Sequence, residues 1–139
     1  MIQRQQTLWL LLAGVAAFLT FQYPFYTGDI LKENLPVKED LDAGSHLLLL
    51  LVTGLLILIA LIAIFLFKER KTQLRTTIVG LILSLLLIVF YFSRVSNYQP
   101  GGHFTLTCIF AFLIPISFAL AARGIYKDQK LIKSLDKLR

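Results

Sequence analysis

Four apolar stretches of this chain, residues 8–26, 47–67, 76–92 and 104–122, contain no Asp, Glu, Lys, Arg or His. Their absence excludes the usual chemistry of ion-coupled transport, which places ionisable groups inside the membrane to hold the coupling ion or substrate. Cysteine is nearly missing too. Cys108 is the single one and lies within an apolar stretch, so there is no disulfide framework and no paired-thiol redox chemistry. The sequence also lacks a Gly-rich phosphate loop, a nucleophile elbow and a paired-carboxylate acid/base site. These absences point to a non-enzymatic protein with no catalytic residues and no cofactor.

What is present is apolar surface. Of 139 residues, 57% are hydrophobic, more than a soluble domain of this size can bury. Each of the four stretches has roughly the 17–25 residues that cross a hydrocarbon core as a helix. Trp9 and Tyr126 fall near one boundary, and Tyr23, Tyr26, Tyr91 and Tyr98 near the other, as in an aromatic belt. The expected fold is all-α, a four-transmembrane-helix antiparallel bundle over residues 1–122 with a basic amphipathic helix over residues 123–139. Residues 1–18 resemble the n- and h-regions of a signal peptide. The apolar run continues past Ala17 to Phe21, so a retained span is expected.

Charge fixes the expected orientation. The N-terminal segment, residues 68–75 and the tail from Arg123 hold 11 of the 14 Lys and Arg. The other two connections hold Lys32, Lys38 and Arg94 together with five of the eight Asp and Glu. This is the positive-inside pattern of a multi-pass protein of the bacterial inner membrane with both termini in the cytoplasm. His46 and His103 then share the outer face with Glu39, Asp40 and Asp42. No spaced ligand motif joins them, and no metal site is expected.

The connections carry weaker signals. Gly28, Pro36 and Gly44 argue against a long helix in residues 27–45, and either Asp42 or Ser45 is positioned to cap the second helix. The short 68–75 connection makes the second and third helices antiparallel neighbours. Residues 93–103, with Gln99-Pro100-Gly101-Gly102, read as an irregular turn. In the third span Gly80 and Ser84 are four apart, a small-residue pair suited to close helix packing. Pro115 lies within the fourth span and leaves the carbonyl of Ala111 without its helical donor.

On a helical wheel the tail places Arg123, Lys127, Lys130, Lys133 and Lys137 on one face. Ile125, Leu131, Ile132, Leu135 and Leu138 lie opposite. Such a helix suits an anionic inner leaflet, a partner protein or the bundle's own loop. Asp128 falls in the middle of the apolar stripe, where an unpaired carboxylate is costly. It is expected to pair with a base among Arg4, Arg70, Lys71 and Arg75, tying the tail to the bundle.

The two chain ends are the most distinctive segments. The chain opens Met1-Ile2-Gln3-Arg4-Gln5-Gln6-Thr7-Leu8-Trp9 and closes through Arg123-Gly124-Ile125-Tyr126-Lys127-Asp128 to Leu135-Asp136-Lys137-Leu138-Arg139. In these residues it resembles the Bacteroidota four-helix membrane family catalogued as domain of unknown function 4293. It departs from that pattern at Lys137, where arginine is usual, and at Ala122, where asparagine is. The resemblance implies the four-helix architecture, features Arg4, Asp128 and Asp136, and implies no activity.

The leading expectation is an accessory or interaction subunit of a larger membrane complex serving insertion, secretion or envelope assembly. Its partners would be the lipid bilayer with its anionic inner leaflet and a membrane protein. The alternatives are a small-solute transporter or channel, with a polar cavity around Ser84, Thr107 and Ser117, and a membrane anchor whose basic tail contacts anionic lipid or ribosomal RNA. No contact with DNA is expected.

Overall fold

The computed structural model of the chain describes the backbone of residues 2–139 and the side chains of residues 5–139. Four helices carry most of it: α1 (Ile2–Gln22), α2 (Leu47–Phe65), α3 (Arg70–Val95) and α4 (Ile109–Lys137). Each packs on two others in a closed ring, α1 against α2 and α4, and α3 against α2 and α4. Small residues allow the close approach. Ala13, Ala16, Ala17, Ala60, Ala63 and Ala121 are all buried. A Cβ placed on Gly14 would sit 3.6 Å from that of Ala60.

Three segments, Leu47–Lys68, Arg70–Val95 and Leu106–Lys137, are long and apolar enough to cross a membrane. The first helix is not among them. Its apolar stretch is flanked by Gln5 and Gln6 on one side and Gln22 on the other. It also ends earlier than expected, at Gln22 rather than residue 26. Pro24 explains this, because it lacks an N–H and disfavours helical geometry in the residue before it.

The all-α expectation needs a correction at the opposite end from the chain termini. There β1 (Tyr26–Lys32), β2 (Leu35–Leu41) and β3 (His103–Phe104) form an antiparallel sheet in the order β2-β1-β3. The β1–β2 hairpin turns on Glu33 and Asn34, with φ of 52° and 67°. A two-residue turn with both central residues in the left-handed region matches the twist of the flanking strands. Pro36 is tolerated because β2 is the edge strand, where no ladder donor is missed. Lys32 pairs with Glu39 at 2.7 Å, and the Thr27 hydroxyl donates to Asp40 at 2.9 Å.

The sheet is fastened to the helix ends. Phe25 stacks on Tyr91 with ring centroids 4.5 Å apart and meets Phe92 and Phe104 edge-on. The hydroxyls of Thr105 and Thr107 both donate to the carbonyl of Pro24. Neither Asp42 nor Ser45 caps α2. Its N-cap is His46, which makes no side-chain cap bond. Asp42 instead accepts from the Gly44 N–H, while the Ser45 hydroxyl donates to the Asp42 carbonyl. Both are engaged in the turn itself, and they precede the N-cap by one residue at Ser45 and by four at Asp42.

Candidate functional site

The charged residues that the sequence singles out converge at the end carrying the termini. α4 runs without interruption through Pro115 to Lys137, so the tail continues the fourth helix directly. Its core-facing stripe is Ala121, Ile125 and Asp128, all buried. Asp128 therefore occupies the next core position along the stripe, which is why it projects among apolar residues. There it accepts a hydrogen bond from the side-chain amide of Gln6 in α1, at 2.5 Å. Gln6 is itself buried, and it packs where a Cβ on Gly124 would meet its Cγ at 3.0 Å. The absence of a side chain at Gly124 lets α1 come close enough for the pair to form.

Among the described residues the only ion pair is Lys32–Glu39, so Arg70, Lys71 and Arg75 do not pair with Asp128. The side chain of Arg4 lies outside the described residues. Gln6 was not anticipated because a carboxylate first suggests a base. The available signal was an uncharged amide near the start of α1, at the depth of Asp128 on α4.

A short helical turn at Leu66–Lys68 joins α2 to α3. The 68–75 connection is thus mostly helix, with α3 beginning at Arg70. Gln73, buried in the second turn of α3, donates to the carbonyl of Ala63 at 2.9 Å. That bond satisfies a carbonyl near the C-terminus of α2, where helices leave acceptors without donors. It also locks the turn in place.

Between this turn and the tail lies a cleft of ≈ 660 Å³. Lys68, Arg70 and Lys71 line it from the turn, and Gln129, Ile132, Lys133 and Asp136 from α4. Glu69 borders it as well, its carboxylate accepting from the Thr72 hydroxyl at 3.2 Å. Among the described residues the buried Gln129 amide nitrogen has no hydrogen-bond partner. No side chain caps α3, and its first turn contains no acidic residue. Gln129, an uncharged residue in a basic tail, carries no sequence pattern that marks it.

All five residues of the expected basic face, Arg123, Lys127, Lys130, Lys133 and Lys137, are exposed. The opposite face divides. Ile125 is core, whereas Leu131, Leu135 and Leu138 are 52%, 64% and 84% exposed. The last turns of α4 therefore present an unpartnered apolar stripe beside a basic one.

Gly80 is buried where α2, α3 and α4 meet. A Cβ there would lie 2.6 Å from the Phe118 ring and 3.0 Å from Ile59. Ser84 and Ser117 are fully buried, and their hydroxyls donate to the carbonyls of Leu81 and Leu113 in their own helices. Thr53 is also fully buried, but its hydroxyl has no hydrogen-bond partner among the described residues. Thr107 belongs to the sheet end, not to this interior.

At the sheet end Tyr98 packs edge-on against Tyr26, with ring centroids 5.2 Å apart. Burial first, then the neighbouring Glu39, Asp40 and Asp42 carboxylates, push its phenol up to about 12. Among the described residues no three His, Cys, Asp or Glu side chains come together to hold a metal ion.

The three membrane-length apolar helices point to a helical membrane protein. The chain belongs to the family described as a domain of unknown function (DUF4293), whose family model matches residues 2–138. The likeness seen at the two chain ends thus extends over the whole length between them. Comparison with curated proteins and with solved structures finds no match.

Proposed function

We propose that this protein is a non-enzymatic inner-membrane subunit that binds a larger membrane complex through the distal turns of α4. In this reading all four helices cross the bilayer as a bundle, and both termini face the cytoplasm. The observation that carries the proposal is the unbroken α4. Its last turns extend a packed helix past the ring while exposing Leu131, Leu135 and Leu138 beside Lys130, Lys133 and Lys137. An exposed apolar stripe on a rigid helix, flanked by bases, suits a partner whose groove is apolar with an acidic rim. The partner is a membrane protein serving insertion, secretion or envelope assembly.

The interior supports this reading over small-solute transport. The buried hydroxyls of Ser84 and Ser117 are spent on carbonyls of their own helices, leaving little to line a polar path. The oriented bases also agree with insertion by the positive-inside rule.

Site-specific photocrosslinking in intact cells tests the proposal. A crosslinker at Leu135 or Leu138 should give one discrete adduct with a membrane protein, lost when Leu131 and Leu135 are both changed to Ser. The same crosslinker at Val89, on the exposed side of α3, should not give that adduct. Recovery of the protein without adducts from every growth condition would overturn it.

A further inference from the structure

The cleft between the Leu66–Lys68 turn and the tail has features that helix stability does not explain. Arg70 and Lys71 occupy the first turn of α3, where the helix dipole favours acidic residues and disfavours basic ones. No side chain caps this helix. Its first backbone N–H groups, at Arg70, Lys71 and Thr72, find no acceptor among the described residues, since the first bond back is from Gln73 to Glu69. Lys68 and Lys133 face the same space, and the Gln129 amide nitrogen is buried behind it without an acceptor. Helix N–H groups, several cations and an unsatisfied amide donor together suit an anion with multiple acceptor oxygens.

Position selects the kind of anion. The cleft follows directly on the apolar segment that ends at Lys68, and Ile132 lines its wall. If α2 and α3 cross the bilayer as proposed above, the cleft opens at the level of lipid headgroups. Basic pockets between membrane helices at that level suit lipid phosphates.

We infer that this cleft binds the phosphate of an anionic membrane lipid, held by the α3 N-terminus, Lys68, Arg70, Lys71, Lys133 and Gln129. The inference rests on the membrane-spanning orientation proposed above and needs no protein partner. The carboxylates of Glu69 and Asp136 also line the cleft, so four bases face two acids there and the excess charge is positive.

The full chain in nanodiscs of equimolar phosphatidylglycerol and phosphatidylcholine provides the test, with native mass spectrometry counting the lipids retained on release. Wild-type protein should retain phosphatidylglycerol in preference to phosphatidylcholine. Changing Arg70 and Lys71 to Gln should reduce that preference about tenfold, whereas changing Lys127 and Lys130 to Gln, an equal charge loss outside the cleft, should change it less than about twofold. Gln129→Leu should weaken it with no change in charge. Removing bases from a helix N-terminus does not threaten folding, and circular dichroism of each variant confirms this.

Equal losses from the two double variants would overturn the inference, showing attraction to the basic surface at large. Loss of bound lipid on adding excess inorganic phosphate would overturn the lipid assignment in favour of free phosphate. Persistence of the preference in all variants would also refute it. Release of the wild-type protein from cell membranes by alkaline carbonate would instead count against the membrane-spanning reading, and so separates the two failures.

Discussion

The Asp128 carboxylate of α4 accepts a hydrogen bond from the Gln6 amide of α1, joining residues 122 positions apart in sequence. Both side chains are almost fully buried, 7% and 4% exposed. The pair ties α1 to α4 near the start of α1, at the end carrying the termini. Removing one partner should be worse than removing both. Gln6→Leu should destabilise the protein by about 1–3 kcal/mol by removing the amide donor of the buried Asp128 carboxylate. Asp128→Leu should cost a similar amount by leaving the buried Gln6 amide without its acceptor. The double change Gln6→Leu with Asp128→Leu should recover most of the loss. Thermal unfolding midpoints of the four proteins in one detergent complete the cycle, and additive losses would contradict it.

Gly80 should tolerate no side chain. Gly80→Ala drives a methyl group into Phe118 and Ile59 at 2.6 and 3.0 Å, and should cost about 1–3 kcal/mol. Combining it with Phe118→Leu should relieve part of the clash, so the double variant should unfold at a higher temperature than the sum of the single losses implies. Ser84→Ala, one turn away, should be mild because it removes only a bond within α3.

Thr53→Val should stabilise the protein. The hydroxyl is fully buried with no partner among the described residues, and a methyl group of similar size in its place removes a desolvation penalty of about 1–3 kcal/mol. A rise in the unfolding midpoint is the expected result. A fall would mean that the hydroxyl has a partner in the folded protein.

Alkali should reveal the Tyr98 environment. Its phenol ionises at about 12 in the folded protein, against an ordinary value of 10. The folded state holds this proton more tightly than the unfolded state. The stability it contributes is therefore intact below pH 10 and falls as pH rises from 10 towards 12. The phenolate absorbance of wild type minus that of Tyr98→Phe should titrate well above 10; a midpoint at the ordinary value would show that the packing against Tyr26 and the nearby carboxylates has no effect.

Hydropathy and charge made the helices legible, because long apolar runs and clustered bases survive any detail of packing. The α2–α3 pairing followed from the short connection between them. The sheet was not legible. Residues 27–45 carry turn formers and charges, and neither strand alternates cleanly, since both lie at an exposed end where only Tyr26, Gly28 and Leu41 are buried. The hairpin depends on two consecutive left-handed residues, Glu33 and Asn34, of which only Asn favours that geometry. Asp128 stood out on the helical wheel, yet its partner among the described residues is an amide that no charge count could identify. The cleft was only half visible. Its bases were noted as a consequence of orientation, whereas their position at an uncapped helix start depends on where α3 begins.

The continuity of α4 makes it a strut. At 1.5 Å per residue its 29 residues measure about 44 Å, and Thr105 and Thr107, just before its first turn, are pinned to Pro24 beneath the sheet. With no flexible joint between the pinned end and Leu138, a pull on the distal turns is resisted by the whole helix rather than absorbed in a linker. A partner bound to those turns, as proposed above, would hold the protein at a fixed reach and angle.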